Sequence, residues 1–162
     1  MTYYEIISEF KLHVQKLSYT NRLRLIIIIS KNLFFDYKHF FETYQWGNPD
    51  LLLDAIAISE QSLVAQSDIP KAKKLAAELY AIIPDTPDFG EYLGSYALNA
   101  SLVVYETLQF ILDGQLVHII DAGTLYLDTI NFKIQEEANA PSTTMNDHPL
   151  MAKARDFLME PL

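Results

Sequence analysis

Asn99, Glu106 and Asp113 recur every seven residues along an otherwise apolar stretch, and Asp121 and Asp128 repeat the same interval just beyond it. Seven residues are close to two helical turns, so each set shares one stripe of a helix. His118 stands one turn before Asp121. A helical hairpin reversing at Asp113-Gly114 would carry Glu106, His118 and Asp121 to its closed end. Carboxylates and an imidazole projecting from facing helices are the raw material of bundle metal sites, and with Tyr105 they could serve a small helical-bundle enzyme or ligand binder. Di-metal bundles, however, take a Glu-x-x-His pair from each of two helices, and this chain has no Glu-x-x-His. His13, His39 and His148 also lie apart, without a ligand spacing. The residues therefore read first as a polar stripe facing water, available as a binding face, and second as a weak metal set of Glu106, His118 and Asp121. No catalytic group and no cofactor is assigned.

The charge around that stripe is segregated. Residues 75–132 contain no Lys or Arg and eight acids (Glu78, Asp85, Asp88, Glu91, Glu106, Asp113, Asp121 and Asp128), a net of −8. Residues 1–40 hold six basic side chains against three acids, a net of +3. One reading packs the basic helices beside the acidic ones, in surface pairs worth about 0–1 kcal/mol each. The other leaves an acidic face that steers a cationic partner.

The elements that must position these groups follow from the punctuation. Five glycines and seven prolines fall mostly between apolar-periodic stretches, the pattern of helices with short connections. Thr2 with Glu5 is a capping box, opening a helix with Ile6, Ile7, Phe10, Val14 and Leu17 on one stripe. A second helix is predicted over about 20–32, where the run Ile26-Ile27-Ile28-Ile29 calls for burial all round. A short third runs from Asp36 to Tyr44 and ends at Trp46-Gly47. Asn48-Pro49-Asp50 and Asp68-Ile69-Pro70 are two further helix starts. Pro84 to Gly94 is the one long irregular connection. Two long helices follow, about 95–112 and 115–138, with Gly123 inside the second at a cost of about 1 kcal/mol relative to alanine. A polar loop from Asn139 to Asn146 and a last helix begun by Asp147 and Pro149 complete the chain. The fold class is all-α: a compact bundle of seven or eight helices in a single domain, 1–162, with a long helical hairpin in its C-terminal half.

Composition sets the outer bounds. The chain has 162 residues, half of them apolar, and no cysteine, which removes disulfides, thiolate metal sites and cysteine nucleophiles. A net charge of −9 argues against nucleic acid as a partner. The longest fully aliphatic run, Leu25 to Ile29, is far short of the ~20 residues a membrane span needs. No targeting segment is visible at Met1-Thr2-Tyr3-Tyr4-Glu5, so the cytoplasm is the expected compartment. Asp88-Phe89-Gly90 spells a kinase triplet with none of its companions, and no phosphate loop or nucleophile elbow is present. Ten Tyr, nine Phe and Trp46 mostly serve the core, although Tyr92 and Tyr96, bracketing Gly94, are candidates for an interaction patch.

Tyr37-x-x-Phe40 running to Trp46-Gly47-Asn48, Ile82-Ile83-Pro84 through Asp88-Phe89-x-x-Tyr92, and Ala97-x-Asn99-Ala100 to Glu106 and Gly114 together resemble the YjaG-like family of bacterial proteins, a domain-of-unknown-function family. The resemblance spans roughly residues 5 to 158, with Asn99 standing where the family pattern has an acid and with a shorter C-terminal end. It implies a compact all-helical cytoplasmic protein and supplies no catalytic residue. The function expected from all these features is non-enzymatic: a macromolecular binding or regulatory protein, immunity-like in one version. Its acidic face, built from Glu106, Asp113, Asp121 and Asp128 with Tyr92 and Tyr96, would meet a basic protein. Self-association through an uncovered helix face is a further possibility, and an enzyme or small-ligand site at Glu106, His118 and Asp121 is the alternative.

Overall fold

A computed structural model of the chain describes residues 1–89, 92–138 and 148–162. Among these residues there are seven α-helices, one turn of 3₁₀ helix at Thr86–Asp88 and no strand. The bundle is all-α, as the spacing of apolar residues and breakers requires.

Helix α1 (Tyr3–Gln15) starts on the capping box: the Glu5 N–H donates to Thr2 Oγ1 at 3.1 Å and the Thr2 N–H to Glu5 Oε2 at 2.7 Å. Its apolar stripe buries Ile6, Phe10 and Val14. At its other end Arg22 donates from Nε to the Val14 carbonyl and from Nη2 to that of Gln15, both at 2.9 Å, satisfying acceptors that the helix leaves open.

Helix α2 (Tyr19–Tyr44) is one continuous helix of 26 residues, where two had been expected. Nothing between Asn32 and Asp36 breaks it. Leu33, Phe34, Tyr37 and Phe40 simply prolong the buried stripe of Leu23, Ile26 and Ile29. The isoleucine run is not buried all round, since Ile28 remains 40% exposed. The helix stops at Gln45, which is left-handed at φ 54°, ahead of Gly47.

Helices α3 (Pro49–Gln61) and α4 (Ile69–Tyr80) begin at the expected caps, Asn48 and Asp68, whose side chains accept from the Leu51 and Lys71 N–H groups. Helix α5 (Tyr92–Asp113) starts about one turn earlier than predicted, so Gly94 lies within it, buried. Gly114, at φ 69°, reverses the chain into α6 (Leu116–Ala138). The polar loop expected over 139–146 and the cap expected at Asp147 lie outside the described residues. Helix α7 (Pro149–Met159) is capped by His148, whose Nδ1 accepts from the Leu150 N–H at 3.1 Å.

Helices α2 and α5 pack on each other at the centre. Helix α6 lies against α5 and α2, α4 and α3 cover α5 and α2 from another side, and α1 and α7 close over α6. Gly123 explains itself here: a Cβ at this position of α6 would stand 2.0 Å from Phe10 Cε1, so the glycine is the seat of the Phe10 ring. Buried side chains from all seven helices join one apolar cluster. Among the described residues no helix is long and apolar enough to cross a membrane.

Candidate functional site

The hairpin brings Glu106 near the end of α5 against His118 in the first turn of α6. His118 Nδ1 lies 2.5 Å from Glu106 Oε2, and Nε2 lies 2.9 Å from Asp113 Oδ2. The Gln115 N–H donates to Asp113 Oδ1 at 2.9 Å, which fixes the reversal. Burial falls off outward: the His118 and Glu106 side chains are 14% and 19% exposed, that of Asp113 38%. Ionised carboxylates only accept, so against two of them the ring meets both by donating from each nitrogen, which is the protonated form. Burial works against that charge, but the hydrogen bonds to Asp113 and Glu106 outweigh it and raise the His118 pKa above its ordinary value. Burial pushes Glu106 up, with His118 offsetting part of the effect and Asp121 and Asp113 adding to it. For Asp113 slight burial is outweighed by His118 and the Gln115 N–H, which hold it below the usual range.

A shallow groove of about 270 Å³ opens alongside, lined by Leu102, Glu106, Asp121, Thr124 and Leu125. Asp121 is exposed and does not bond His118, whose two nitrogens are already occupied. With His118 charged, Glu106, Asp113, Asp121 and His118 sum to −2. Among the described residues no three His, Asp or Glu side chains are placed to hold a metal ion. A histidine donating from both nitrogens also has no lone pair for a metal or for a substrate proton.

The other predicted residues turn inward or elsewhere. The Asn99–Glu106–Asp113 stripe turns toward α6 and opens to water only at Asp113: Asn99 is buried and donates from Nδ2 to Thr129 Oγ1 at 3.1 Å. Asp128 accepts from the Tyr3 hydroxyl and ties α6 to α1, while burial and that carboxylate push the Tyr3 pKa up. Tyr96 is buried and donates to Glu136, with Lys133 Nζ 5.4 Å from its ring centroid. Tyr92 is 40% exposed and stacks on Tyr96 at 6.2 Å. Tyr105 lines a different groove, between α4 and α5, beside Tyr80, and does not join Glu106 and His118. Nor do the basic helices neutralise the acidic ones: among the described residues no ion pair joins a basic side chain of residues 1–40 to an acid of residues 75–132.

The sequence pattern described as "Protein of unknown function (DUF416)" matches residues 9–162. The chain belongs to the DUF416 family. The crystal structure of a DUF416 family protein from Shewanella baltica OS155 is similar to it, with a TM-score of 0.80 at 18% sequence identity over 93% of this chain and 82% of that one. That likeness is one of fold. No curated protein matches the chain.

Two features of this DUF416 chain escape a reading that starts from chemistry. His118 selects Asp113 rather than Asp121, and the signal is the short Asp113-Gly114-Gln115 link, which places an acid at the turn itself. The second lies on α2, where Arg24, Ile28, Lys31, Phe35 and Lys38 alternate at intervals of four and three and are all exposed.

Proposed function

We propose that this DUF416 protein is a non-enzymatic binding protein whose acidic groove at the closed end of the α5–α6 hairpin receives a basic segment of a macromolecular partner. The observation that carries the reading is the openness of the site. Asp113 and Asp121 are exposed beside a shallow groove instead of converging in a closed cavity. No Lys or Arg of residues 75–132 screens them. Asp128 and Tyr96 are spent on Tyr3 and Glu136 away from the groove, so the reading rests on Glu106 in its lining and on the exposed Asp113 and Asp121. In this reading the chain acts as a single domain in the cytoplasm, a setting that agrees with its lack of cysteine. The finer placement among YjaG-like bacterial proteins rests on the residue pattern from Tyr37 to Gly114.

Capture from a lysate of the source cell tests it. Wild-type bait is expected to retain a basic protein in stoichiometric amount at about 0.1 M salt, where the Debye length is still about 10 Å. An Asp113→Asn/Asp121→Asn bait is expected to lose that protein. Equal capture by both folded baits refutes the acidic groove as the binding face.

A further inference from the structure

We infer that the outer face of α2 is a docking surface for a second copy of this chain, seated on that copy's acidic α5–α6 groove. Helix α2 spends its inner face on α5 and its flanks on α3 and α6. Its outer face is open apart from the exposed pair of Lys31 with Glu60 of α3 at 3.1 Å. Arg24, Ile28, Lys31, Phe35 and Lys38 repeat there at 4-3-4-3 spacing, which keeps them in one line about 21 Å long. Phe35 is 68% exposed and Ile28 40%. Clefts flank the line at either end, about 350 Å³ beside Lys38 and Leu53 with Glu42 and Asp50 at its edge, and about 280 Å³ beside Arg24 and Ile28 with Glu160 at its edge. Alternating cations and apolar side chains along one ridge form the kind of stripe that enters an apolar groove edged with acids.

Charge complementarity names the occupant. The chain of net −9 carries this basic ridge and, on α5 and α6, a groove of the matching kind: Glu106 and Asp121 beside Leu102 and Leu125, with Val117 46% exposed one turn before Asp121. The two cannot meet within one molecule, because α2 turns its buried face to α5 and its basic line away from it. Between molecules they can. At physiological salt the Debye length of about 8 Å suppresses repulsion between the whole chains while leaving facing groups coupled. The contact uses different patches on the two copies, so it is heterologous and propagates. The inference rests on the groove being a binding face, as proposed above.

Sedimentation velocity on the full chain tests it, with loading from micromolar to submillimolar. At about 0.15 M salt the sedimentation coefficient is expected to climb with loading past the dimer value, and at about 1 M salt to return to that of a monomer. Phe35→Ser/Lys38→Gln breaks the ridge and Val117→Ser/Asp121→Asn breaks the groove. Both changes are at exposed positions and introduce no new charge that could pair anew. Circular dichroism verifies that each variant is folded. Each variant alone should associate at least about tenfold more weakly than wild type. An equimolar mixture should stop at a one-to-one dimer, because each variant supplies the single face the other lacks. A wild type that stays monomeric at all loadings, or a variant that associates as wild type does, overturns the inference. If the monomer still binds an amphipathic Lys-rich peptide and Asp121→Asn abolishes that binding, the groove survives and only self-association fails.

Discussion

Replacing His118 with leucine should destabilise the protein, and by an amount that depends on pH in a direction the geometry dictates. The substitution removes two contacts of unequal worth. The one to Glu106 joins side chains that are only 14% and 19% exposed. A hydrogen bond between charged groups in such a setting contributes about 1.5–3 kcal/mol. The one to Asp113 involves a carboxylate 38% exposed and screened by water, and is worth at most about 1 kcal/mol. The loss at pH 6 should therefore be about 2–4 kcal/mol. His118 has a folded-state pKa above its ordinary 6.5, so its contribution is fully present below 6.5 and disappears as pH rises through the raised value. Asp113 runs the other way: its pKa lies below the ordinary 3.8, so its share is present above 3.8 and is lost as pH falls through the lowered value. Both are in place at pH 6. As pH rises through the raised His118 value the wild-type imidazole loses its charge, and the difference between wild type and His118→Leu should shrink toward about 1 kcal/mol, the worth of an ordinary hydrogen bond. Urea unfolding of both proteins at pH 6 and pH 9 measures this. An equal difference at the two pH values, or a larger one at pH 9, refutes a charged His118 held between two carboxylates.

Gly123→Ala removes a helix penalty of about 1 kcal/mol but drives a methyl into the Phe10 ring, at an overpacking cost of about 1–3 kcal/mol, so it should lower the melting temperature. In a Phe10→Ala background, where the ring is gone, the same change should raise the melting temperature, and destabilisation in both backgrounds would show that Phe10 is not what the glycine accommodates. Arg22→Ala should cost about 1–2 kcal/mol, since it strips two carbonyls at the end of α1 of a charged donor. Arg22→Lys should recover little of that loss, because only the guanidinium reaches both acceptors; a lysine variant melting with wild type would refute this account.

Much of the helix order is legible in the chain because its signals are local. Thr2 with Glu5, Asn48-Pro49, Asp68 with Pro70, and Gly114 each act within about one turn, and each marks a boundary in the structure. The continuity of α2 is less legible, since the burial of Leu33 and Phe34 depends on what other helices place against them. The site divides in the same way. The approach of His118 to Glu106 follows from two seven-residue stripes folded on a hairpin. The choice of Asp113 over Asp121 follows from the backbone at Gly114, which no periodicity encodes. Gly123 reads in sequence as a defect in α6, and only the position of Phe10, 113 residues earlier, makes it a fit.

The same proton serves two ends that oppose each other. Between 75 and 132 the chain has no Lys or Arg, so His118 is the counter-charge that the closed end of the hairpin has of its own. Protonated, it fixes Glu106 and Asp113 and holds the closed end of the hairpin together. It also brings the charge beside the groove from −3 to −2, which weakens the pull on a basic segment. A basic guest reverses the balance by supplying the missing positive charge, so docking and a neutral His118 favour each other by ordinary linkage. Complete neutralisation within the chain, with lysines facing Asp113 and Asp121, would have stabilised the bundle slightly and closed the face. Instead Arg24, Lys31 and Lys38 lie on the outer side of α2 and Glu106, Asp113 and Asp121 on α5 and α6, and no ion pair among the described residues joins the two sets.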